Sequence, residues 1–576
     1  MPRSVTQNCV LGDFMKKMSI IGIAALLICL LLAPLVALTH VGLTPAWAAW
    51  QTKPQPIEWY HKPQNVQADE ARWDSFARDQ LTHLSSGLMM TIAKKLGITE
   101  VYGKSITKGS TPGGKVKATV IDIPVANNPL ADESSPSIAV NPVDPRELYA
   151  ILEDTSDAFG CSVYYSNNAG ATWALQGALP PSPNGFGADV CYHPSARWSP
   201  DGLMAYLAYG SVDWATHGSD IVVTQALPAA VGGPGYGAGV NQVFFAGAAG
   251  VDLWDAPWVD VHQVDLGQAN WVYVTATYFD FTTGQNWIAF DVSNDQALTW
   301  FGGGVAALPL SSLAPFPFPV QWSRPIGGIS ADVLVCWFNA EIDGWNNGPW
   351  NAGFFDIRCR QGVFNGLLWW PEVTAANNVN YELPFWLGPG GAYHWWEHSE
   401  GPSLAISPDG RAHIVFTRDP TVSRVDSECG NVVYVRSNGP FPFFYFTTPA
   451  VPVTVGNYGV MAQGFPTIAV QLQRPIAPTP LGYRLFLFYI DHRFSPSTIA
   501  NIYYDVYERH SDNGGVSWTA PARITDVSSI SELISIGGYT DSSAAPLRGR
   551  AWVIWTDRGD KWSILDLEDD VWADYL

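Results

Sequence analysis

The feature of this sequence that most restricts its fold is an internal repeat that occurs seven times between residues 118 and 566. Each copy reads as a strand, a tight turn and a second, very apolar strand that ends near an acidic residue, as in PSLAISPDGRAHIVFTRD. Short runs of this kind, bounded by Gly and Pro turns, predict antiparallel strand pairs. A period of roughly 60 residues predicts an array of similar small sheets. The copies occupy 136–154, 194–213, 256–280, 324–341, 402–419, 465–491 and 537–557.

A shorter motif, S-x-[DN]-x-[GA]-x-[ST]-W, occurs three times, as SNNAGATW (166–173), SNDQALTW (293–300) and SDNGGVSW (511–518). Its composition predicts a stapled hairpin turn. The Ser and Asp or Asn side chains can bond the backbone of the turn, and Gly tolerates a positive φ. The Trp can then cover the neighbouring sheet. We refer to these three segments as the box turns.

The box turns resemble the Asp-box, or BNR repeat, of sialidase-like β-propellers. The stretch YYDVYERHSDNGGVSWTAPARITD, followed by GGYTD and WVIWTDRGD, resembles BNR-repeat proteins of the sialidase superfamily. The resemblance covers about three quarters of the chain, with departures at Ala297 in place of Gly and at Asn168 and Asn513 in place of Asp. It implies an all-β fold, a β-propeller of four-stranded blades, and says less about activity.

Under this resemblance each repeat is one blade of a propeller that spans residues 116–576. Seven copies favour seven blades, and six, the number in sialidases proper, is the alternative. The last repeat lacks a fourth strand. The run KATVIDIPV (117–125) could supply that strand and close the ring.

The residues before the propeller divide into two segments. Residues 1–48 read as a signal peptide or a membrane anchor, because Lys16 and Lys17 precede the apolar run 18–38. We therefore expect a secreted or extracytoplasmic protein, with contact to a membrane only through this run. Residues 49–115 predict a short helical segment and a linker. Within 68–97, apolar residues recur at helical steps, namely Trp73, Phe76, Leu81, Leu84, Leu88 and Ile92.

Charge and cysteine content narrow the function further. The net charge of −21 argues against nucleic acid as a partner, because phosphate binding requires a basic surface. In an exported protein, Cys161 could pair with Cys191 and Cys336 with Cys359. Buried free thiols are the alternative for each pair.

The order of strands in a repeat predicts two functional faces. In a meander of strands A to D, the A–B and C–D turns lie on one face, which we call the turn face. The B–C loops and the D-to-A connections lie on the other, the mouth face, which carries the ligand in the sialidase superfamily. An acid lies near the end of strand B in every repeat, either to shape the B–C loop or to bind sugar hydroxyls or a cation such as calcium. These acids are Asp154, Asp213, Asp280, Glu341, Asp419, Asp491 and Asp557.

Basic and catalytic candidates lie at the same ends. True sialidases hold the substrate carboxylate with three Arg, but this sequence has no F-R-I-P or Y-R-I-P motif near its first repeat. A sialidase also uses a Tyr activated by a Glu. Tyr539, Glu397 and Glu400 are our candidates for catalysis, and Asp255 and Asp541 are similarly positioned. The ligand-binding candidates beyond strand B are Arg418, Asp419, Asp491, Arg493, Asp557 and Arg558.

The stretch GAYHWWEHSEGP (391–402) contains H-x-x-E-H, a zinc-peptidase signature. That chemistry requires the motif on a helix, whereas the helix-breaking segments LGPGG and GPS flank it. We interpret it as a D-to-A connection on the mouth face without a metal. Trp395 and Trp396 could stack on a sugar ring and Glu397 and Glu400 could accept its hydroxyls. An aromatic plug between two blades is the alternative.

Three functions fit these patterns. The first is an exported sialidase-like β-propeller that binds a glycan or another cell-surface polymer and has diverged from catalysis. The second is a glycoside hydrolase of the exo-sialidase type that uses carboxylates of the mouth. The third is a cell-envelope scaffold for protein interaction.

Overall fold

A computed structural model of the protein describes the following residues: 123–126, 133–154, 160–180, 182, 190–213, 218–227, 235–236, 242–246, 252–262, 270–280, 283, 285–301, 308–309, 311, 314–315, 320–327, 333–339, 352–363, 368–382, 402–418, 431–439, 446, 451–453, 463–472, 481–491, 505–524, 544–545, 550–557 and 570–575. These residues contain strands and turns but no helix, and hence no helix able to cross a membrane. The predicted N-terminal helical segment and the apolar run 18–38 lie outside this part of the chain.

The strands follow the predicted repeat along the chain. The first sixteen are β1 (Ile123–Ala126), β2 (Glu133–Val140), β3 (Leu148–Asp154), β4 (Gly160–Ser166), β5 (Ala174–Ala178), β6 (Val190–Trp198), β7 (Ala205–Asp213), β8 (Gly218–Leu227), β9 (Gly235–Tyr236), β10 (Gln242–Ala246), β11 (Asp252–His262), β12 (Trp271–Asp280), β13 (Gln285–Ser293), β14 (Leu308–Pro309), β15 (Ala314–Pro315) and β16 (Val320–Gly327). The rest are β17 (Val333–Asn339), β18 (Ala352–Val363), β19 (Leu368–Trp369), β20 (Val373–Glu382), β21 (Ser403–Ile406), β22 (Ala412–Arg418), β23 (Asn431–Arg436), β24 (Val451–Pro452), β25 (Gln463–Leu472), β26 (Tyr483–Asp491), β27 (Asp505–Ser511), β28 (Ala522–Arg523), β29 (Ala544–Ala545), β30 (Arg550–Asp557) and β31 (Asp570–Tyr575).

These strands form seven separate sheets of four or five strands in the described residues. We number the sheets in chain order: sheet 1 is β2–β5, sheet 2 is β6–β10, sheet 3 is β11–β15, sheet 4 is β16–β20, sheet 5 is β21–β24, sheet 6 is β25–β28, and sheet 7 is β29–β31 with β1. Within each sheet, strands A, B and C follow one another as antiparallel neighbours. The first predicted strand pair of every repeat is therefore present.

Contacts between sheets join them into a β-propeller. Strand A of each sheet contacts strand A of the next, from β2 through β6, β11, β16, β21 and β25 to β29, and β2 also contacts β30 of sheet 7. The chain is thus an all-β propeller of small antiparallel sheets, in which each sheet covers the face of its neighbour.

The two ends of the described chain meet in sheet 7. β1 pairs with β31, with Ile123 opposite Ala573 and Ala126 opposite Val571. The N-terminal strand is thereby the outermost strand of a sheet whose other strands come from the C-terminal end. This confirms that the run ending at residue 125 supplies the missing fourth strand.

Burial explains why strand B is apolar on both sides. All seven residues of β17, VLVCWFN, are buried, as are the first six of β3. Both faces of an inner strand pack against neighbouring sheets, so alternation of apolar and polar residues is lost there. The outer strand β5, ALQGA, is exposed or half-buried along its whole length.

A hydroxyl group on strand A ties each of three sheets to the next. Ser137 Oγ accepts a hydrogen bond from Ala196 N in sheet 2, at 3.1 Å. Ser195 Oγ accepts one from Val259 N in sheet 3, and Ser403 Oγ accepts one from Ile468 N in sheet 6, both at 3.1 Å. The three Ser side chains are buried and each follows a proline. These bonds link equivalent points of successive strands A.

The three box turns have one geometry. In the third sheet, Ser293 Oγ donates to Asp295 Oδ1 at 2.8 Å and accepts from Ala297 N at 2.9 Å. Asp295 Oδ1 also accepts from Thr299 N at 2.8 Å. The same bonds join the equivalent residues of SNNAGATW and SDNGGVSW. Ala297 adopts φ +64°, so the turn forms with Ala where Gly would be unstrained.

Both predicted disulfides are present. Cys161–Cys191 joins strand C of sheet 1 to strand A of sheet 2, and Cys336–Cys359 joins neighbouring strands of sheet 4. Only the first therefore links two sheets.

We predict that Ser195→Ala lowers the free energy of unfolding by about 1–3 kcal/mol, because the buried N–H of Val259 loses its acceptor. Urea unfolding followed by tryptophan fluorescence measures the change. Asn167→Ala, at an exposed position of the first box turn, is the control and should change stability by less than about 0.5 kcal/mol. Equal stability of Ser195→Ala and the wild type would show that the hydroxyl ties do not hold the sheets together.

Candidate functional site

The mouth face is built where strands B end and strands A begin. Five acids named from the sequence are the last residue of a strand B, namely Asp154, Asp213, Asp280, Asp491 and Asp557. Each pairs across the sheet with the first residues of a neighbouring strand, as Asp280 does with Asp252 and Gln285. The described mouth edge therefore has the acidic character that the sequence predicts.

One of these acids shapes the adjoining loop. Asp280 Oδ1 accepts from Thr283 N at 3.1 Å and its Oδ2 accepts from the Thr283 hydroxyl at 2.6 Å. This is the structural role that an acid after strand B can take. Asp154 Oδ2 instead accepts from Ser162 Oγ of the neighbouring strand β4, at 2.7 Å.

Strand A carries a bulge at its mouth end in five sheets. In four of them the bulge contains a proline, as in Tyr192-His193-Pro194-Ser195 and Asp255-Ala256-Pro257-Trp258. His193 and Ala256, each directly before the proline, adopt φ +50° and +51°. A positive φ is costly for residues with a side chain, so neighbouring groups must hold these two positions.

Buried carboxylates hold them. Glu153 Oε1 accepts from the backbone N–H of His193 at 2.5 Å, and Asp255 Oδ1 accepts from Ala256 N at 2.7 Å. Asp220 Oδ2 accepts from Ser182 Oγ at 2.5 Å. Glu153, Asp220 and Asp255 are each 2% exposed or less. Burial of an acid is tolerated when hydrogen bonds satisfy it, and these bonds reinforce the backbone at the mouth.

Tyr192 lies at the centre of these acids. Its hydroxyl donates to the backbone carbonyl of Trp254 in sheet 3. Burial, and after it the charges of Asp255, Asp220 and Glu153, raise the pKa of Tyr192 well above its ordinary value. The phenol therefore keeps its proton and acts as a hydrogen-bond donor, not as a nucleophile. We call Glu153, Tyr192, His193, Asp220 and Asp255 the mouth cluster.

Close packing fixes the ring of Tyr192. Tyr192 pairs across the sheet with Gly210, and a Cβ atom at Gly210 would overlap the ring. Glycine is thus required at this position because the aromatic ring crosses directly over the backbone of strand B.

Besides Asp255 of the mouth cluster, the structure describes three of the catalytic and ligand-binding candidates named from the sequence. Arg418 ends β22 and is exposed, Asp491 ends β26 and is fully buried, and Asp557 ends β30. Their ligand-binding roles stay predictions. The remaining candidates lie outside the described residues: Trp395, Trp396, Glu397, Glu400, Asp419, Arg493, Tyr539 and Arg558.

A pattern in the sequence relates one of those candidates to the mouth cluster. Tyr192 and Asp255 each stand two residues before the proline of a strand-A bulge. Glu400 stands two residues before Pro402, which precedes Ser403 at the start of β21. The position two residues before a strand-A proline is the only sequence signal that could have identified Tyr192, and Tyr192 was not among the predicted site residues. For Glu153 and Asp220, which lie in other strands, no local motif exists.

Metal binding finds no support in the described part of the chain. No three His, Cys, Asp or Glu side chains there are grouped so as to hold an ion. The mouth cluster itself uses its carboxylates for bonds to protein N–H and O–H groups.

A second buried polar cluster lies at the turn face. His413 Nε2 is 2.8 Å from Ser407 Oγ and its Nδ1 is 2.7 Å from the Tyr434 hydroxyl. Ser407 donates its proton to Asp409, and the Tyr434 hydroxyl donates to the backbone carbonyl of Gly514 at 3.1 Å. Burial lowers the pKa of His413 to about 3. The neutral imidazole thus completes a bonded network between strands β22 and β23 and an A–B turn.

Comparisons with known proteins do not assign this chain to a family. No family model matches the chain, and no curated protein matches it. Among solved structures, an α-L-arabinofuranosidase from Fusarium graminearum is 10% identical over 80% of this chain and 98% of its own, with a TM-score of 0.39. A lectin from Burkholderia pseudomallei is 11% identical over 77% and 96%, with a TM-score of 0.41. A mutant of Trypanosoma rangeli sialidase displaying trans-sialidase activity is 12% identical over 70% and 59%, with a TM-score of 0.33. Because these TM-scores lie below 0.5, nothing about the substrate of this chain follows from them.

We predict that Gly210→Ala destabilises the protein by about 1–3 kcal/mol, because the added methyl group displaces the Tyr192 ring from a packed site. Gly160→Ala is the matched control, since a Cβ there meets no atom within 4 Å. Unfolding midpoints in urea compare the two variants. A Gly210→Ala protein as stable as Gly160→Ala would show that the mouth cluster is loosely packed.

We also predict a pH dependence from His413. Its folded-state pKa, about 3, lies below the value of about 6.5 expected in the unfolded chain. At pH values between these two pKa values, His413 is protonated in the unfolded chain but neutral in the native state. Stability should therefore fall by about 1.4 kcal/mol per pH unit as the pH drops below about 6.5. The slope for the wild type minus that for His413→Gln isolates this contribution, and parallel pH profiles of the two proteins would contradict it.

Proposed function

We propose that this protein is an exported, sialidase-like β-propeller that binds a glycan on its mouth face. The observation that carries the proposal is the mouth cluster, which fixes the starts of strands β6 and β11 with buried carboxylates and a neutral Tyr. A rigid edge of this kind supports ligand-binding connections with little loss of entropy on binding. The connections above it would supply the ligand contacts.

The proposed ligand contacts come from the D-to-A connection before β21 and from the ends of strands B. Trp395 and Trp396 would stack on the apolar face of a sugar ring, and Glu397 and Glu400 would accept its hydroxyls. Arg418, Asp419, Asp491, Arg493, Asp557 and Arg558 would complete the contacts. The two disulfides support export, because such bonds persist in oxidising compartments.

The charge around the mouth cluster favours a neutral glycan over an acidic one. The three charged groups that act on Tyr192 are all carboxylates. An acidic sugar would meet repulsion there, since like charges in a poorly solvated site disfavour each other. We therefore propose a glycan without sialic or uronic acid as the ligand.

Blade number and repeat type belong to the same proposal. The seven sheets and the closed series of contacts between strands A support a ring of seven blades. The shared geometry of the three box turns supports their assignment as Asp-box repeats.

A glycoside hydrolase is the second candidate. Glycosidic cleavage needs an acid and a base or nucleophile, and Glu397, Glu400 and Tyr539 are the proposed groups. Against it stands the sequence, which lacks the F-R-I-P or Y-R-I-P motif of sialidases near its first repeat. Binding without cleavage is therefore the preferred function.

We predict that the full-length chain retains neutral glycans on an array, and that Glu400→Gln and Trp396→Ala each weaken binding at least about tenfold. A carboxylate-to-hydroxyl bond or a stacking contact contributes about 1.4 kcal/mol or more to affinity. Arg146→Ala, an exposed turn-face change, is the control and should bind as the wild type does.

A panel of chromogenic glycosides separates the two candidates. No turnover by the wild type together with glycan retention supports a binding protein. Turnover that is lost in Glu400→Gln supports the hydrolase. Neither retention nor turnover for any sugar would refute both, and preferred retention of sialylated glycans would refute the neutral ligand.

A further inference from the structure

The turn face exposes an unusual number of large apolar side chains. Six of the ten exposed large hydrophobic residues in the described chain lie in or directly beside its A–B turns and box turns. They are Val143 (62% exposed), Leu203 (63%), Leu298 (46%), Phe301 (52%), Leu481 (45%) and Val516 (72%). We call these six residues the turn-face set. A concentration of this kind on one face indicates a contact surface.

Two pairs of turns that carry members of the set lie side by side, one pair between sheets 1 and 2 and one within sheet 6. A Cβ atom at Gly202 would lie 2.9 Å from Val143 Cβ, so the A–B turns of sheets 1 and 2 touch beside Leu203. Asn141 of the first turn also donates to Gly202 O of the second, at 3.1 Å. In sheet 6, a Cβ at Gly514 would lie 3.0 Å from Leu481 Cδ1, which brings Leu481 next to the box turn that carries Val516.

Three acids of this face pair with arginine. Asp144 pairs with Arg146, Asp409 with Arg411, and Asp512 with Arg484 at 2.6 Å. The exposed apolar side chains of the turn-face set thus share this face with ion pairs. Such a surface suits an apolar partner that carries little net charge.

The first described residue, Ile123, lies on the turn-face side of its strand. β30 ends at the mouth with Asp557, opposite Asp570, so antiparallel β31 runs from the mouth towards the turn face. Ile123 at the start of β1 pairs with Ala573, and Ala126 pairs with Val571, nearer to the mouth. The N-terminal end of β1 therefore points towards the turn face.

We propose that the segment 68–97 docks on the turn face and covers the turn-face set. Its apolar residues recur at helical steps and need a surface to bury against. It contains four acidic and four basic residues, so its net charge is zero and it can approach a face that carries both acids and arginines without net repulsion. The proposal does not depend on a glycan at the mouth.

The length of the connection permits this docking. The residues between Gly97 and Ile123 span up to about 80–90 Å when extended, at roughly 3.3–3.6 Å per residue. A tethered segment also binds at a high effective concentration. Docking on this face would leave the mouth uncovered.

Hydrogen exchange measured by mass spectrometry on the full-length chain tests the proposal. Amides of 68–97 in the wild type should exchange at least about tenfold more slowly than in the double variant Leu203→Asp/Val516→Asp, whose charges oppose burial of the stripe. The double variant Leu175→Asp/Val451→Asp is the control. These residues are 58% and 55% exposed on outer strands β5 and β24 and belong neither to the A–B turns nor to the box turns, so the protection should persist.

Four outcomes would overturn the proposal. Exchange of 68–97 in the wild type at the rate of an unfolded peptide would show that the segment does not dock. Equal protection in both double variants would place it elsewhere on the molecule. Protection that disappears on dilution would assign the face to a second copy of the chain. Protection that arises only on adding phosphatidylcholine vesicles would assign the segment to a lipid surface.

Discussion

The hydrogen bond from the hydroxyl after a proline on strand A to the next sheet is the contact on which the arrangement of sheets depends. Apolar packing between sheets has no preferred direction, so by itself it would let stacked sheets slide. The bulge interrupts the ladder at the mouth end of strand A, where Ala196, Val259 and Ile468 direct their N–H groups to the preceding sheet. Proline, bulge and serine act together, because the proline lacks a donor and the serine provides the acceptor that fixes the register.

The mouth cluster is a consequence of the same bulge. To turn into strand A, His193 and Ala256 adopt positive φ values, and each is stabilised through a backbone N–H bonded to a buried acid. The cost of burying those acids is offset by bonds to fixed donors. Glu153, Asp255 and the protonated Tyr192 therefore make hydrogen bonds to backbone groups of the propeller. Any ligand chemistry then belongs to the connections that this edge supports, in agreement with the exposed position of loops in binding proteins generally.

The repeat pattern was sufficient to predict the seven strand pairs and, in the run ending at residue 125, the closing strand, since both follow from local periodicity. Each disulfide was only one of two alternatives expected from the sequence, beside buried free thiols, and the structure contains both bonds. The mouth cluster was not predictable in this way. Glu153, Tyr192 and Asp255 come from three sheets, and only their mutual packing makes them one group. Periodicity also cannot reveal a positive φ at His193 or Ala256, because a positive φ is uncommon for any residue other than glycine. Asp280 illustrates the converse, since its loop-shaping bond to Thr283 was one of the two roles expected for an acid after strand B.

Hydrogen bonds join neighbouring sheets at both the turn face and the mouth face, and they limit which residues are available to bind a ligand. At the turn face the backbone carbonyls of Gln296 and Gly514, equivalent positions of two box turns, accept bonds from Gln225 and Arg436 of the preceding sheets. At the mouth face the serine hydroxyls and buried acids make the corresponding ties. A substitution at any of these groups affects two sheets at once, so they are poorly suited to adapt to a ligand. A binding specificity that varies without loss of the propeller must therefore use residues other than these groups. This is why we propose the connection before β21, with its paired Trp and Glu residues, as the ligand site.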